Sequence, residues 1–242
     1  MGDDRQKGER IPPRRERRGF QCSHRMKKIS ASSLFTVSFL FVANLWSIFV
    51  DPLCSFAGEI RYFPTDAMTR VYSGLGNNVR IKEVQRPLGV KDGRSVIEIS
   101  REISYVNFPR RKIVATYGVN PKTGRVVQLT SSSAFGDHIW TFHPPLLIYR
   151  LPFKKGDSWD VQDGQNRSHS KVWGKVRVTL PFGTMTCWVV EKVITYDLIR
   201  RKSPQILYDY YEPSLGWVAE GAWASDGKWH WSRKLLSVKR SS

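Results

Sequence analysis

The chain has 242 residues, a formal net charge of +18, nine tryptophans and an aromatic content of 12%. This length fits one domain with a leader or at most two small domains, and the aromatic and β-branched composition favours sheets over helical bundles. Three cysteines are too few for a disulfide framework, so the folded part must be stabilised by its hydrophobic core.

The first element is an uncharged apolar segment at residues 34–50, which follows the basic residues Lys27 and Lys28. Ser55 and Ala57 then place small residues at positions −3 and −1 of a possible cleavage site. A basic region, an apolar region and a small-residue site are the three parts of a secretory signal. We therefore predict a signal peptide at residues 26–57, with cleavage after Ala57.

This leader divides the chain into three parts. Residues 1–25 are an arginine-rich disordered extension or the product of a mis-assigned start, residues 26–57 are the signal, and residues 58–242 are the exported domain. An uncleaved anchor is the alternative, because the uncharged, mainly apolar segment at positions 34–50 has 17 residues and approaches the length of a membrane-spanning helix. In both cases the basic residues before the segment stay inside, so the domain lies outside the cytoplasm.

The predicted exported domain is basic in its own right. Residues 58–242 hold 29 lysines and arginines against 16 acidic residues, a net charge of +13. A field of this sign attracts anionic lipids, glycans and nucleic acid, and export argues against nucleic acid. We therefore expect an anionic lipid, a glycan or an envelope protein as the partner, with membrane contact through the N-terminal segment.

Short runs with a two-residue hydrophobic alternation begin near residue 79 and predict β-strands. They occupy residues 79–84, 95–106, 113–119 and 125–130. The turn at residues 120–124 has proline early and glycine late, so it joins the last two runs into a hairpin. The first half of the domain is therefore predicted to be antiparallel.

Residues 131–168 are predicted to form a long, partly irregular connection with short strands near Ile148 and Trp159. This connection holds Asp137, His138 and His143, the best acid–base or metal-ligating group available. Two histidines five residues apart in a connection are more often surface or packing residues than ligands of a tight metal site. An envelope hydrolase or metal-dependent enzyme that uses these three residues is the alternative function, and no cofactor is predicted.

The last third of the domain has the clearest alternation. Strands are predicted at residues 171–180, 184–196, 205–211, 217–223 and 228–238. Eight to eleven strands joined by short turns predict an all-β fold, a single antiparallel meander preceded by one N-terminal hydrophobic helix. A flat sheet of that size would expose a large apolar face, so we expect it to curl into a half-barrel or a barrel-like sheet.

Four local patterns occur in order: Tyr-Phe-Pro at 62–64, LPFKKGDSW at 151–159, VTLPFGTMTCW at 178–188 and YYEPSLGWV at 210–218. They resemble elements of bacterial exported and lipoprotein-like β-sheet domains of unknown function, the TapB-like class. Phe182 stands where that class has a small turn residue. The resemblance implies a curled antiparallel sheet in the cell envelope, and it implies no reaction.

The tryptophans supply the most distinctive candidate site. Two of them stand two residues apart on the last strand and share a face, and a third is predicted to share a face with two cations. An aromatic surface beside cations can hold a glycan or a lipid head group by stacking and ion pairing. The candidate ligand-binding residues are Trp229 and Trp231, Trp173 with Lys175 and Arg177, and Trp140.

Other residues of this third are predicted to be structural. Trp188 and Trp217 should fill the interior of the curled sheet, and Cys187 should be a buried small hydrophobe. The leading hypothesis is a non-enzymatic cell-envelope domain that binds a partner or an amphiphilic or anionic ligand. It would be exported across the inner membrane and be periplasmic or extracellular, or else remain anchored by residues 34–50.

Overall fold

The computed structural model describes residues 63–74, 78–134, 136–164, 166–196 and 204–241. The predicted extension, signal peptide and anchor at residues 1–57 lie outside these ranges. Within these ranges, no helix is long and apolar enough to cross a bilayer.

Twelve strands account for most of the described chain. They are β1 (Met68–Ser73), β2 (Val79–Lys91), β3 (Arg94–Tyr105), β4 (Phe108–Val119), β5 (Arg125–Ser132), β6 (Ile139–Arg150), β7 (Ser158–Asp163), β8 (Asn166–Leu180), β9 (Gly183–Tyr196), β10 (Gln205–Glu212), β11 (Gly216–Trp223) and β12 (Trp229–Arg240). Neighbouring strands pair antiparallel throughout. The predicted all-β antiparallel fold is therefore confirmed, and the predicted N-terminal helix falls outside the described residues.

All twelve strands belong to one sheet, in the order β6-β5-β4-β3-β2-β1-β12-β11-β10-β9-β8-β7. The chain thus forms two meanders, β1 to β6 and β7 to β12, which join where the first and last strands pair. The sheet curls until β6 and β7 approach each other without forming a ladder, so the barrel is nearly closed. The predicted curled meander is confirmed, with its seam in the middle of the chain.

The connection between β6 and β7 spans the seam and is held on both sides. The Leu151 N–H donates to the carbonyl oxygen of Gly124 over 2.8 Å, and the Val172 N–H donates to that of Asp157 over 2.8 Å. Gly124 has a φ of 64°, and a Cβ atom there would lie 1.7 Å from the Leu151 carbonyl oxygen. Glycine is therefore required where the β4–β5 turn meets this connection.

The short strands predicted near Ile148 and Trp159 within residues 131–168 are present as β6 and β7, but this segment is more regular than predicted. β6 is a strand of 12 residues and β7 one of 6 residues. Pro144 and Pro145 concealed the length of β6 in the sequence pattern, because proline cannot donate to a β-ladder. β6 accommodates both prolines because it is the last strand in the sheet and has a ladder on one side alone.

The first hydrophobic core fills the barrel with aromatic side chains. Trp217 is 5% exposed and lies in this core, as predicted, whereas Trp188 is half-buried and packs against its edge. The buried members are Phe63, Ile97, Ile99, Ala115, Tyr117, Val119, Val126, Tyr149, Leu151, Phe153, Trp159, Val172, Val190, Tyr211 and Trp217. The interior is therefore occupied by side chains and is not an open binding cavity.

A second core lies on the other face of β9 and β10. Because side chains alternate along a strand, Val190 reaches the first core while Cys187 and Val189 reach the second. Cys187 is fully buried, as predicted, and burial raises the pKa of its thiol to about 12. The buried members are Tyr72, Val178, Leu180, Cys187, Val189, Tyr208, Tyr210, Val218, Ala219 and Leu235.

Candidate functional site

Four tryptophans from β8, β11 and β12 pack against the second core and form what we term the tryptophan cluster: Trp173, Trp223, Trp229 and Trp231. Trp229 is at its centre, with its ring centroid 5.4 Å from that of Trp223 and 5.4 Å from that of Trp231. The predicted shared face of Trp229 and Trp231 is confirmed. All four tryptophans are half-buried, so each retains exposed surface.

The β11–β12 hairpin brings two of these rings together. Its register places Trp223 directly opposite Trp229. The turn is fixed by Asp226, whose carboxylate accepts the backbone N–H of Lys228 over 2.9 Å. Gly221 provides the space for the central ring, because a Cβ atom at this position would lie 2.4 Å from the ring of Trp229.

Two tyrosines of β10 form the floor of the tryptophan cluster. Tyr208 and Tyr210 are each 1% exposed. The Tyr208 centroid lies 5.5 Å from that of Trp229 and 6.5 Å from that of Trp173, and Tyr210 lies 4.9 Å from Trp231. The floor therefore links tryptophans of β8 and β12 that are distant in sequence.

The polar edges of the tryptophan cluster are unsatisfied. The indole N–H groups of Trp173, Trp223 and Trp229 are buried and have no hydrogen-bond partner among the described residues. A buried donor without an acceptor costs roughly 1–3 kcal/mol. A rotation of these half-buried rings that exposes the N–H groups would let a ligand with oxygen acceptors recover this free energy and cover the ring faces.

The charged residues near the tryptophan cluster help to decide which ligand it favours. Below the floor, Glu191 is 2% exposed and accepts a hydrogen bond from the Tyr208 hydroxyl over 3.1 Å. In the described part of the chain, no lysine or arginine lies over any of the four rings; the cation–ring contacts involve other residues. The rings of the tryptophan cluster therefore offer an anionic ligand no cation from the described residues.

A β-bulge separates Trp173 from the cations with which it was predicted to share a face. The register of β8 against β9 shifts between Val172 and Gly174, and Gly174 has a φ of 135°. Because the extra residue reverses the two-residue alternation, Trp173 points to the second core, where it contacts Tyr208.

Lys175 and Arg177 consequently lie on the opposite face of β8. The Nζ atom of Lys175 is 5.0 Å from the ring centroid of Trp188, which packs against the first core. Arg177 is exposed. The prediction of one surface that combines Trp173 with these two cations is therefore wrong, and the tryptophan cluster is aromatic without them.

The remaining candidate residues lie near the start of β6. Trp140 is 46% exposed, and its ring centroid is 4.7 Å from that of His138. Asp137 accepts a hydrogen bond from the Ser133 hydroxyl, which lowers the pKa of the carboxyl group, and His143 is exposed. Five strands lie between β6 and β12 in the sheet, so Trp140 is not part of the tryptophan cluster.

The alternative enzymatic hypothesis gains no further residue from the fold. Among the described residues, no group of three His, Cys, Asp or Glu side chains is placed to hold a metal ion. Asp137 and His138 are both exposed. The hydrolase or metal-dependent activity therefore stays a prediction.

The barrel interior contains buried charges that the sequence reasoning missed. Nη2 of Arg70 lies 2.9 Å from Oε1 of Glu83, and Nη2 of Arg101 lies 2.8 Å from Oε2. Burial acts to raise the pKa of Glu83, but the two guanidinium groups outweigh it and lower the pKa to about 2. The sequence did contain a sign of these buried charges, namely a charged residue at an inward position of a strand between apolar residues. Arg101, between Ile99 and Ile103, is an example.

A second buried carboxylate continues this network toward β9 and β12. Asp209 is 1% exposed, with the Nζ atom of Lys192 at 2.5 Å and the donating hydroxyl of Tyr149 at 3.0 Å. Burial acts to raise the pKa of Asp209, and the charges of Lys192 and Arg233 lower it overall. The guanidinium of Arg233 also lies 3.4 Å from Glu220. These contacts stabilise the barrel interior and leave the tryptophan cluster as the accessible candidate site.

No protein-family model matches the sequence, and no curated protein matches it significantly. A presumptive lipoprotein from Parabacteroides distasonis has a similar structure, with a TM-score of 0.50, 12% identity, and coverage of 74% of this chain and 99% of its own. A presumptive exported protein with a YmcC-like fold from Bacteroides fragilis gives a TM-score of 0.52, 11% identity, and coverage of 75% and 100%. The chain shares the fold of these exported, lipoprotein-like proteins. At such identities the similarity concerns the fold alone, and at that level the resemblance drawn from the four motifs is confirmed.

Proposed function

We propose that the barrel is an exported cell-envelope domain that binds a neutral glycan through the tryptophan cluster. Fold similarity to an exported protein and to a lipoprotein supports the location. The leader predicted at residues 26–57 agrees with it. Export across the inner membrane would place the domain in the periplasm or outside the cell, either free or anchored by residues 34–50.

The three unpartnered indole N–H groups are the observation that carries the ligand assignment. An indole nitrogen donates and does not accept, so its partner must present an acceptor such as a hydroxyl or ring oxygen. A sugar ring combines such oxygens with an apolar C–H face that packs on a flat aromatic ring. An acyl chain would cover the rings but leave the donors unsatisfied, and no cation of the described residues lies over the four rings to pair with an anion.

Isothermal titration calorimetry with neutral oligosaccharides of glucose, galactose, mannose and N-acetylglucosamine tests the proposal. We expect binding to the intact chain and about tenfold weaker binding by Trp229→Ala, because a lost aromatic contact costs about 1.4 kcal/mol. Trp229→Phe, which keeps a ring but removes the donor, should lie between the two.

Trp140→Ala is the matched control, since it removes an exposed tryptophan that lies outside the tryptophan cluster. It should bind like the wild type, and circular dichroism should show all variants folded. Equal affinity of Trp229→Ala and wild type would contradict the proposal, as would binding of long-chain fatty alcohols without any binding of the oligosaccharides.

A further inference from the structure

The β3–β4 hairpin ends in an apolar tip that is followed directly by three cations. Val106 and Phe108 are 71% and 70% exposed. Arg110, Arg111 and Lys112 come next on β4 and are all exposed. Large apolar side chains exposed together beside charges are typical of an interaction surface, because the fold gains nothing by exposing them.

Contacts within the hairpin order its tip. Tyr105 pairs with Phe108 across the turn, and their rings meet edge to face with centroids 6.1 Å apart. The guanidinium carbon of Arg111 lies 5.7 Å from the Tyr105 centroid. Glu102 pairs with Arg110 at 3.1 Å. No acidic residue stands between Tyr105 and Lys112 in the sequence, so this end of the hairpin carries more positive than negative charge. The tip is thus pre-organised, with its charge at its base.

We propose that the β3–β4 hairpin docks on the surface of an anionic lipid bilayer. Val106 and Phe108 enter the boundary between head groups and acyl chains, and the cations at positions 110–112 contact the lipid phosphates. The order of the side chains along the hairpin supports this partner. The apolar tip, the aromatic ring and the cations follow one another as the acyl chains, the interface and the phosphates do from the bilayer interior outward. This surface is separate from the tryptophan cluster and does not depend on the glycan proposal.

The β2–β3 hairpin at the other end of the barrel provides an internal comparison. Leu88 and Val90 are 56% and 77% exposed, so this hairpin is also apolar. Its turn, however, carries Asp92, which is exposed and has a φ of 51°. This carboxylate offsets one of the charges of Lys91 and Arg94 beside it, whereas no acidic residue stands between Tyr105 and Lys112. Electrostatic attraction to an anionic surface therefore favours the β3–β4 hairpin.

A local probe tests the docking, because residues 34–50 could hold the full chain on a vesicle without any hairpin contact. An environment-sensitive fluorophore is attached at Asn107→Cys in the full chain with Cys22→Ser and Cys54→Ser, since Cys187 is buried and will not compete. Vesicles that contain phosphatidylglycerol should shift its emission to the blue. Pure phosphatidylcholine vesicles should not, and a probe at Lys91→Cys beside Asp92 should stay in water with both.

Two sets of variants complete the test. Each of Arg110→Gln, Arg111→Gln and Lys112→Gln should weaken the response to phosphatidylglycerol about fivefold, the factor for one cation near an anionic surface. Trp229→Ala should leave the response unchanged, which separates this proposal from glycan binding. An Asn107 probe that stays in water on vesicle-bound protein would overturn the docking, as would equal responses to both lipids or a larger response at Lys91→Cys.

Discussion

Glu83 carries its charge where water is excluded, between the guanidinium groups of Arg70 and Arg101. The side chains of Arg70 and Glu83 are 1% and 0% exposed, so neither charge is screened by solvent. Removing one partner of a buried ion pair costs more than the pair itself contributes, because the other charge is left uncompensated. Glu83 therefore holds β1, β2 and β3 in a common arrangement inside the barrel.

We expect Glu83→Gln to lower the free energy of unfolding by about 3–5 kcal/mol at pH 7, because the buried Arg70 and the half-buried Arg101 lose their counterion. Urea unfolding followed by tryptophan fluorescence measures the change. Glu98→Gln, a half-buried position on the outer face of β3, is the matched control and should change stability by about 0.5 kcal/mol or less.

The same carboxylate predicts an acid dependence of stability. Its pKa is lowered from 4.5 to about 2 in the folded state, so it stabilises the fold above pH 4.5. This contribution, about 3 kcal/mol, is lost as the pH falls from 4.5 toward 2. Urea unfolding at pH 7, 4 and 2 should show a shallower acid loss for Glu83→Gln than for wild type, and identical slopes would contradict the assignment.

At the scale of the element, hydrophobic alternation predicts nine of the twelve strands, although β2, β4 and β8 are each at least five residues longer than predicted. β6 and β7 were predicted as short strands near Ile148 and Trp159, and the prolines of β6 hid its full length. β1 was missed because its inward positions include Arg70, a residue type that is normally exposed to solvent. The structure supplies Arg70 with Glu83 and Gln85, which are partners from another strand that no local pattern can reveal.

The candidate site was predicted in part for a related reason. Trp229 and Trp231 share a face because they lie two residues apart, and that depends on local geometry alone. Trp223 joins them because it pairs with Trp229 across the turn at Asp226. Counting residues back from this turn along β11 would have predicted the pairing. The error at Trp173 comes from a bulge, because a single extra residue reverses every later side chain of β8.

The bulge itself can be tested through Gly174. Its φ of 135° is a conformation that L residues rarely adopt, while a Cβ atom there would meet the Lys155 side chain at an ordinary 3.7 Å. Gly174→Ala should therefore destabilise the fold through the backbone alone, by about 1–3 kcal/mol in urea unfolding. Thr179→Ala, on the exposed face of the same strand, should have little effect, and equal losses for the two variants would argue against the bulge.

At the scale of the whole molecule, the strands at the two ends of the described domain pair in the middle of the sheet, with Met68 opposite Arg240. The Ser241 N–H also donates to the carbonyl oxygen of Ala67 over 3.1 Å. The seam between β6 and β7 is instead crossed by the chain itself. β6 and β7, which form no ladder with each other, are therefore connected by the chain itself. β1 and β12, at the two ends of the described domain, are connected by a hydrogen-bonded ladder.

A circular permutant tests this arrangement directly. A short glycine–serine linker from Ser241 to Phe63, with new ends between the exposed Lys154 and Lys155, should give a folded domain whose strands follow sheet order from β7 to β6. We expect the wild-type circular dichroism spectrum and a lower thermal midpoint, because the connection across the seam is cut. New ends between Val189 and Val190, inside β9 where both cores meet, should abolish folding. The control is a chain that carries the linker and keeps the bond between Lys154 and Lys155. If this control folds and the Lys154–Lys155 permutant does not, the connection across the seam is required to close the barrel. The β1–β12 ladder alone then cannot hold the two meanders together.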